Sequence, residues 1–252
     1  MSQTQEPDSF EIRLNALKAR IDAACKQHGK NPEQIKILAV SKTFPASAVK
    51  EALAAGLHAF GENYVQEGVE KIAQLIAHRQ ALEWHFIGPL QSNKTKEVAE
   101  HFDWMHSIDR EKIARRLSEQ RPPGVKPLQV CVQANVSGEA SKSGVLPSEA
   151  VSLALSIAAL PNLTLRGVMA IPEPSEDEGL QRSRFAELAR IFEGIRAKLL
   201  APQQILFDTL SMGMSADLEA AVAESLPHAT TMVRIGTALF GSRLSQPRSD
   251  HQ

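Results

Sequence analysis

The chain has 252 residues, of which 43% are hydrophobic and 23% are charged, and its formal net charge is -1 at pH 7. This is the composition of a soluble globular protein with material for a large core, and it leaves no broad basic field for a nucleic acid or an anionic membrane. No apolar stretch approaches 18 residues and residues 1–9 do not read as a signal peptide, so we expect a cytoplasmic protein without a membrane span.

The first predicted element is an amphipathic helix that follows a short polar segment. Apolar residues recur there at spacings of three and four, which places them on one helix face. Those residues are Phe10, Leu14, Leu17, Ile21 and Cys25. Asp8 or Ser9 is a suitable N-cap, and Gly29 followed by Pro32 ends the pattern. Residues 1–9 are expected to be flexible. Cys25 and the distant Cys131 lie in apolar surroundings and are predicted to be buried free thiols.

From residue 35 onward, short apolar runs alternate with helical patterns. The runs that predict strands are Ile35–Val40, Ala59–Asn63, Trp84–Gly88, Trp104–Ile108, Leu128–Asn135, Leu163–Ile171, Ile205–Leu210 and Met232–Ile235. The clearest helical segments are Glu62–Arg79, Pro147–Leu160, Ser183–Leu199 and Ser215–Leu226. Eight β/α units with near-continuous apolar strands predict an α/β fold, a single (β/α)8 TIM-type barrel over residues 10–243 with an extra N-terminal helix. Residues 244–252 are polar and are predicted to form a flexible tail.

A doubly wound sheet is the rival architecture. It requires a glycine-rich turn after the first strand, but the segment from Val40 to Pro45 contains no glycine, so the barrel is favoured. The sequence also lacks HExxH, CxxC and paired-carboxylate spacings. We therefore predict neither a metal site nor a glycosidase-type pair of acids.

Lys42 directly follows the first strand, and the reactive groups of such barrels gather at the C-terminal ends of the strands. Leu38 and Val40 have the same parity, so a lysine at position 42 would point inward at the mouth. Partial desolvation there would lower its pKa and favour the free amine that Schiff-base chemistry needs. The alternative is an ordinary strand-end lysine whose amine extends into solvent. Position alone leaves both interpretations open.

The seventh and eighth strands end in small and hydroxyl-bearing residues. Ser211–Ser215 and Arg234–Thr237 follow the strand pair whose loops commonly bind phosphate in barrels. Glycine lets the backbone approach an anion, and a helix beginning near Thr237 would aim its amides at one. The simpler interpretation is that Ser215 and Asp217 cap a helix and that the glycines serve tight turns. Two such loops at the expected strand pair favour phosphate.

Three further polar residues lie within predicted strands or at their ends. Arg234 is flanked by Val233 and Ile235, and a guanidinium buried there needs a partner. That partner is either a structural carboxylate or the pyridine nitrogen of a ligand, which an always-charged donor would keep unprotonated. Asn63 either bonds a ligand or satisfies its own turn. His85 is expected to be a satisfied core histidine and not a catalytic base.

Five segments form one ordered set of motifs. They are Ala39–Thr43, Phe60–Tyr64, His85–Lys94, Leu210–Ser215 and Val233–Thr237. In this order they resemble the YggS/PROSC family, the pyridoxal phosphate homeostasis proteins. The resemblance runs from about residue 35 to residue 243. It implies a barrel similar to the N-terminal domain of bacterial alanine racemase, with pyridoxal 5′-phosphate (PLP) as the cofactor.

The resemblance also implies roles for individual residues. Lys42 would carry PLP as a Schiff base, and Arg234 would face the pyridine nitrogen. The matches to phosphate-binding positions are Ser211, Gly236 and Thr237, and the matches to positions near the ring are Asn63 and Met212. Lys142 matches a loop lysine implicated in cofactor handover. The family has no established turnover, and its members are thought to buffer or deliver the cofactor, with PLP-dependent apo-enzymes as transient partners.

Carrier, racemase and aldolase hypotheses remain open at this point. A racemase of this type needs a second acid/base on the opposite face of the cofactor, usually a tyrosine from an additional β domain. Here the chain ends after the eighth β/α unit, and the only tyrosine, Tyr64, belongs to the strand-two motif. With Arg234 weakening the electron sink, the sequence favours a monomeric, non-catalytic carrier. A barrel-only PLP-dependent amino-acid racemase comes second, and a class I aldolase-like enzyme that uses Lys42 on a sugar phosphate comes third.

Overall fold

In the computed structural model, which describes residues 9–138 and 143–241, the chain forms a closed barrel of eight parallel strands. The strands are β1 (Ile35–Val40), β2 (Ala59–Glu62), β3 (Glu83–Phe86), β4 (Trp104–Ile108), β5 (Leu128–Gln133), β6 (Leu163–Met169), β7 (Thr209–Ser211) and β8 (Thr230–Ile235). Each strand pairs with the next one along the chain, and β8 pairs with β1. The α/β barrel predicted from the alternation of apolar runs and helical patterns is confirmed.

Helices surround the barrel. They are α1 (Phe10–His28), α2 (Ala46–Ala54), α3 (Val65–Gln74), α4 (Thr95–His101), α5 (Glu111–Gln120), α6 (Pro147–Ala158), α7 (Glu178–Arg196), α8 (Ala201–Leu206), α9 (Leu218–Ala223) and α10 (Thr237–Phe240). The extra N-terminal helix is α1: Ser9 caps it by accepting from the amide of Ile12 at 3.3 Å, and Gly29 ends it at φ 63°. It packs against α9 and α10. Within the described ranges, no helix is both long and apolar enough to cross a membrane.

Several sequence predictions fall on positions beyond the described residues. Lys142, Asp8 and the predicted flexible segments 1–9 and 244–252 lie outside them, apart from Ser9. Cys25 and Cys131 are described, and both are buried free thiols as predicted. Burial raises the pKa of the Cys131 thiol to about 12.

The predicted elements are present, most of them with bounds that differ by a few residues, but the seventh strand was placed wrongly. β1 and β4 have the predicted bounds, and all four predicted helices are present with shifted ends, as α3, α6, α7 and α9. The prediction Ile205–Leu210 is wrong in its first half, because Ile205 and Leu206 belong to α8 and Ile205 is 78% exposed. Pro202 in the first turn and Gln203, which accepts from the amide of Leu200 at 3.1 Å, start a helix there. The strand is Thr209–Ser211.

The strands divide the interior into two cores. Ala39 belongs to the apolar layer between the barrel and its helices, so its neighbours Leu38 and Val40 face the barrel axis. The apolar residues inside the barrel are Leu38, Val40, Ile87 and Met232 in one cluster and Trp104, Cys131 and Met169 in another. Branched apolar residues usually fill such an interior, but this one also contains buried polar side chains. Among them are His85, His106, Ser211 and Arg234.

Candidate functional site

The candidate site is centred on Lys42, which directly follows β1 at the C-terminal end of the barrel. The side chain is half-buried, and within the described parts of the chain its amine has no hydrogen-bond or ion-pair partner. The next residue, Thr43, has a φ of 65°, a left-handed conformation that a β-branched residue rarely adopts. Strain of this kind persists only where the surrounding structure imposes it. The turn that carries Lys42 is therefore tightly specified.

A buried hydrogen-bond network holds that turn in place. Ser41 donates from Oγ to Oε1 of Glu62 at 2.6 Å, and Lys71 donates from Nζ to the same Oε1 at 2.6 Å and to the Ser41 carbonyl at 2.8 Å. Glu67 accepts from the backbone amide of Thr43 and lies 3.1 Å from Nζ of Lys71. Burial raises the pKa of Glu62 above its usual value, although Lys71 and Ser41 oppose the shift. The network fixes the backbone on both sides of Lys42.

Asn63 lies beside Lys42, at the end of β2. Val40 pairs with Gly61 in the sheet, so continuing this parallel register sets Asn63 opposite Lys42. The Oδ1 atom of Asn63 is buried and has no hydrogen-bond partner among the described residues. Gly88 allows the close packing of this turn, because a Cβ at position 88 would lie 2.2 Å from the carbonyl oxygen of Asn63. A buried oxygen without a donor is a position that a ligand can satisfy.

Arg234 is the buried cation of the site. Its guanidinium donates from Nη1 to Oγ of Ser211 at 2.9 Å and from Nη2 to the carbonyl of Ala170 at 2.8 Å. No carboxylate of the described residues forms an ion pair with it, so a structural carboxylate is not its partner among them, and the contact with a pyridine nitrogen stays a prediction. Burial lowers the pKa of Arg234 to about 10, and the charge of Asp217 only partly offsets this. The guanidinium has five N–H donors but only these two acceptors among the described residues, so donors remain for a ligand.

Ser211 and Met212 were both predicted to contact the cofactor, but neither side chain is exposed. The Ser211 hydroxyl is fully buried between Arg234 and His106, so it lies beneath the guanidinium inside the barrel. The Met212 side chain is also fully buried and belongs to the apolar layer between barrel and helices. The contact of Ser211 with a phosphate and the contact of Met212 with the ring stay predictions. Because both side chains are fully buried, neither is exposed to a ligand at the mouth of the barrel.

The loops after β7 and β8 lie next to each other, as a phosphate site between them requires. The amide of Arg234 donates to the carbonyl of Gly213 at 2.9 Å, and Gly213 has a φ of 86°. α10 begins at Thr237, which is exposed, and Gly236 precedes it as the N-cap. Ala39 pairs with Ile235, so Gly236 lies opposite Val40 and two residues from the level of Lys42. The predicted phosphate residues Gly236 and Thr237 thus flank Lys42 on the side opposite Asn63.

Sequence reasoning missed His106. His85 is the satisfied core histidine that was predicted, fully buried and bonded through Nε2 to Glu83 and through Nδ1 to His106, each at 2.9 Å. Nδ1 of His106 in turn lies 2.8 Å from Oγ of Ser211. The alternation of β4 was the available signal, because His106 shares the inward parity of Trp104. In the ranges that the structure describes, no three His, Cys, Asp or Glu side chains gather as metal ligands.

Comparisons with known proteins agree with the resemblance. Residues 12–244 match the family model described as alanine racemase, N-terminal domain. The pyridoxal phosphate homeostasis protein of Pseudomonas aeruginosa is 56% identical over 225 residues, which cover 89% of this chain and 92% of that protein. The protein of the same name from Escherichia coli K12 is 52% identical over 235 residues, covering 91% and 95%.

Solved structures give the same picture. PipY of Synechococcus elongatus, in a structure with PLP bound, superposes with a TM-score of 0.77 at 34% identity, covering 92% of this chain and 100% of that one. An alanine racemase from Clostridium difficile superposes with a TM-score of 0.65 over 95% of this chain and 58% of its own, but at 18% identity. The likeness to the racemase concerns the fold alone.

Proposed function

This chain belongs to the family of pyridoxal phosphate homeostasis proteins, and we propose that it holds PLP as a Schiff base on Lys42 and buffers or delivers it without catalysing a turnover reaction. The observation that carries the proposal is the set of unmatched polar groups at one barrel mouth. Among the residues that the structure describes, the Lys42 amine has no partner, the buried Oδ1 of Asn63 has no donor and the donors of Arg234 have no carboxylate. A phosphorylated pyridine aldehyde supplies a chemical partner to each.

The chemistry at Lys42 is a condensation. The amine adds to the aldehyde carbon, a carbon–nitrogen double bond forms and the carbonyl oxygen leaves as water. The half-buried position of Lys42 and the braced turn that carries it support a fixed direction of approach. Gly236 and Thr237, at the start of α10, are proposed to bind the phosphate through backbone amides that have no acceptor within the helix, together with the exposed hydroxyl of Thr237. Ser211 remains proposed for the phosphate and Met212 for the ring region, although both side chains are buried and the Met212 amide donates to the carbonyl of Met232 at 3.2 Å.

Arg234 supports a carrier over a racemase. A guanidinium that donates to the pyridine nitrogen keeps that nitrogen unprotonated, and this weakens the ring as an electron sink. The only tyrosine of the sequence, Tyr64, is 59% exposed and directly precedes α3. These residues do not supply the second acid/base that racemisation requires.

The test is the absorbance spectrum of the purified protein before and after borohydride, with the modified peptide identified by mass spectrometry. We expect a yellow protein that reduction bleaches, with the adduct on Lys42, and a Lys42→Ala variant that forms none. Lys94→Ala is the matched control, because Lys94 is a partly exposed lysine after β3 that pairs with Glu97 at 3.0 Å. A wild-type protein that PLP cannot turn yellow would refute the proposal.

The alternatives give different results in the same samples. A racemase would exchange the α-proton of an amino acid with deuterated solvent. An aldolase-like enzyme would be colourless and would be trapped by borohydride only when a sugar phosphate is present. The carrier is expected to do neither.

Delivery and buffering can be separated in a dialysis cell. The loaded protein is placed with a PLP-dependent apo-enzyme in one compartment, or is separated from it by a membrane that only small molecules pass, and the rate of reactivation is measured. We propose that the loaded protein is a monomer. Faster reactivation in the shared compartment supports direct delivery, and equal rates support buffering of free cofactor. Light scattering on the loaded protein tests the monomer.

A further inference from the structure

Five buried or half-buried side chains form one continuous hydrogen-bonded line through the barrel. The line begins at Glu83, the first residue of β3, and passes through His85, His106 and Ser211 to Arg234 near the opposite end of the barrel. Its four links measure 2.9, 2.9, 2.8 and 2.9 Å. We call these five residues the axial chain.

The chemistry of the two ends sets the direction of the two outer hydrogen bonds of the axial chain, and one direction for the two inner bonds follows when both histidines are neutral. A guanidinium can only donate and an ionised carboxylate can only accept. Arg234 therefore donates to Ser211, and the Ser211 hydroxyl donates to Nδ1 of His106. Nε2–H of His106 donates to Nδ1 of His85, and Nε2–H of His85 donates to Glu83. In this arrangement the four links use one hydrogen each, and both histidines are neutral Nε2–H tautomers.

The electrostatics agree with this assignment. Burial lowers the pKa of His106 well below its usual value, and the charge of Arg234 lowers it further, so His106 carries a single proton. Burial tends to raise the pKa of Glu83, but its hydrogen bond to His85 and the charge of Arg166 are among the causes that outweigh burial, and the pKa lies below the usual range. Glu83 is thus the ionised acceptor that the direction requires.

We propose that His106 is a positioning residue for Arg234, acting through Ser211. By accepting the Ser211 hydrogen, His106 fixes the hydroxyl rotor so that a lone pair of Oγ is aimed at Nη1 of Arg234. The aligned dipoles of the axial chain also connect the buried guanidinium to the carboxylate of Glu83, which no direct ion pair does. The proposal rests on the proposed function in one respect, because Arg234 is taken to face the cofactor ring.

The tautomers can be measured without any cofactor. Two-bond hydrogen–nitrogen correlation spectra of the PLP-free protein, labelled with nitrogen-15 at histidine, report which ring nitrogen carries the proton. We expect protonated Nε2 and unprotonated Nδ1 for both His85 and His106. A protonated Nδ1 on His106 would reverse the chain at Ser211 and overturn the proposal. This experiment is independent of PLP binding.

The effect on the cofactor is tested with three variants. His106→Phe keeps the ring volume but breaks both links, so the dissociation constant of PLP is expected to rise about tenfold and the absorbance maximum of the bound cofactor to shift. His106→Gln retains an acceptor and a donor, so its dissociation constant for PLP and its absorbance maximum are expected to be close to those of the wild type. Cys131→Ala shortens another fully buried side chain of the same interior, leaves the four hydrogen bonds of the axial chain in place and is expected to resemble the wild type.

Each outcome has a defined meaning. The proposal is overturned when His106→Phe matches the wild type in affinity and spectrum, or when Cys131→Ala changes both as much as His106→Phe does. Should His106→Phe not fold, the tautomers of the wild type and the spectrum of His106→Gln decide. A wild-type protein that does not bind PLP refutes the proposed function alone, while the tautomers still test the axial chain.

Discussion

Lys71 and Glu62 form a buried ion pair, with Nζ of Lys71 2.6 Å from Oε1 of Glu62 and side chains that are 5% and 0% exposed. Removing two charges from water is costly, so such a pair is weak evidence for stability in itself. Its placement suggests a different use. Because Lys71 also binds the carbonyl of Ser41, the pair fixes the backbone from which Lys42 projects.

Lys71→Met is predicted to destabilise the protein strongly, because it leaves the Glu62 carboxylate buried without a counter-charge. We expect a loss of about 3–5 kcal/mol in the free energy of unfolding, measured by urea denaturation of the PLP-free protein. The double variant Glu62→Met/Lys71→Met is expected to lose less than Lys71→Met alone, because no orphaned charge remains. Lys50→Met, on the exposed side of α2, is the control. A double variant as unstable as the sum of its single variants would contradict the interpretation.

Thr43→Asn is predicted to stabilise the PLP-free protein. At a φ of 65°, the β-branched side chain of Thr43 is strained, whereas asparagine tolerates the left-handed region, and the amide that donates to Glu67 is retained. We expect a gain of about 1 kcal/mol, seen as a higher unfolding midpoint.

The chain provides a matched reverse substitution. Asn162 has a φ of 61°, so Asn162→Thr is expected to destabilise by a comparable amount, with an added loss because its side chain donates to the carbonyl of Ser118 at 3.1 Å. Changes of opposite sign in the free energy of unfolding for the two substitutions support the backbone explanation. The same sign for both would refute it.

Much of the site was accessible from the sequence because strand parity and barrel geometry are local rules. Leu38 and Val40 inside the barrel place Lys42 at its mouth, and Arg234 between two apolar residues signals a buried cation. The orientation of Ser211 was not accessible, because β7 has only three residues and its pattern does not separate the inward from the outward face.

The errors have the same physical origin. Ile205 and Leu206 read as a strand because they are apolar, yet in α8 both are exposed, which no periodicity over so short a run reveals. His106 was missed because its partner Ser211 comes from β7, 105 residues away in sequence. Hydrogen bonds between non-neighbouring segments are decided by the closed barrel and not by local pattern.

Ser211→Ala separates two roles for this residue. Its hydroxyl is committed to Arg234 and His106, so its loss is predicted to weaken the binding of PLP and of pyridoxal, which lacks the phosphate, by the same factor. A side chain that bound phosphate would instead affect PLP alone. Absorbance titrations with PLP and with pyridoxal give, for each compound, the ratio of the dissociation constant of the variant to that of the wild type. Thr237→Val, at the exposed start of α10, is the comparison for which the larger effect on PLP is expected.

Acid is predicted to destabilise the protein partly through His106. Because burial holds the pKa of His106 in the folded protein well below its usual 6.5, the unfolded chain binds one more proton at pH values between the two. The contribution of His106 to the free energy of unfolding is therefore fully present above pH 6.5 and is lost as the pH falls below it, by about 1.4 kcal/mol per pH unit for one proton.

Urea denaturation of PLP-free protein from pH 8 down to about pH 5 measures the slope of this loss. His106→Gln removes the titrating group and is expected to give a shallower slope over this range, while His78→Gln, at an exposed position, should follow the wild type. Parallel curves for the wild type and His106→Gln would show that His106 does not take up this proton on unfolding.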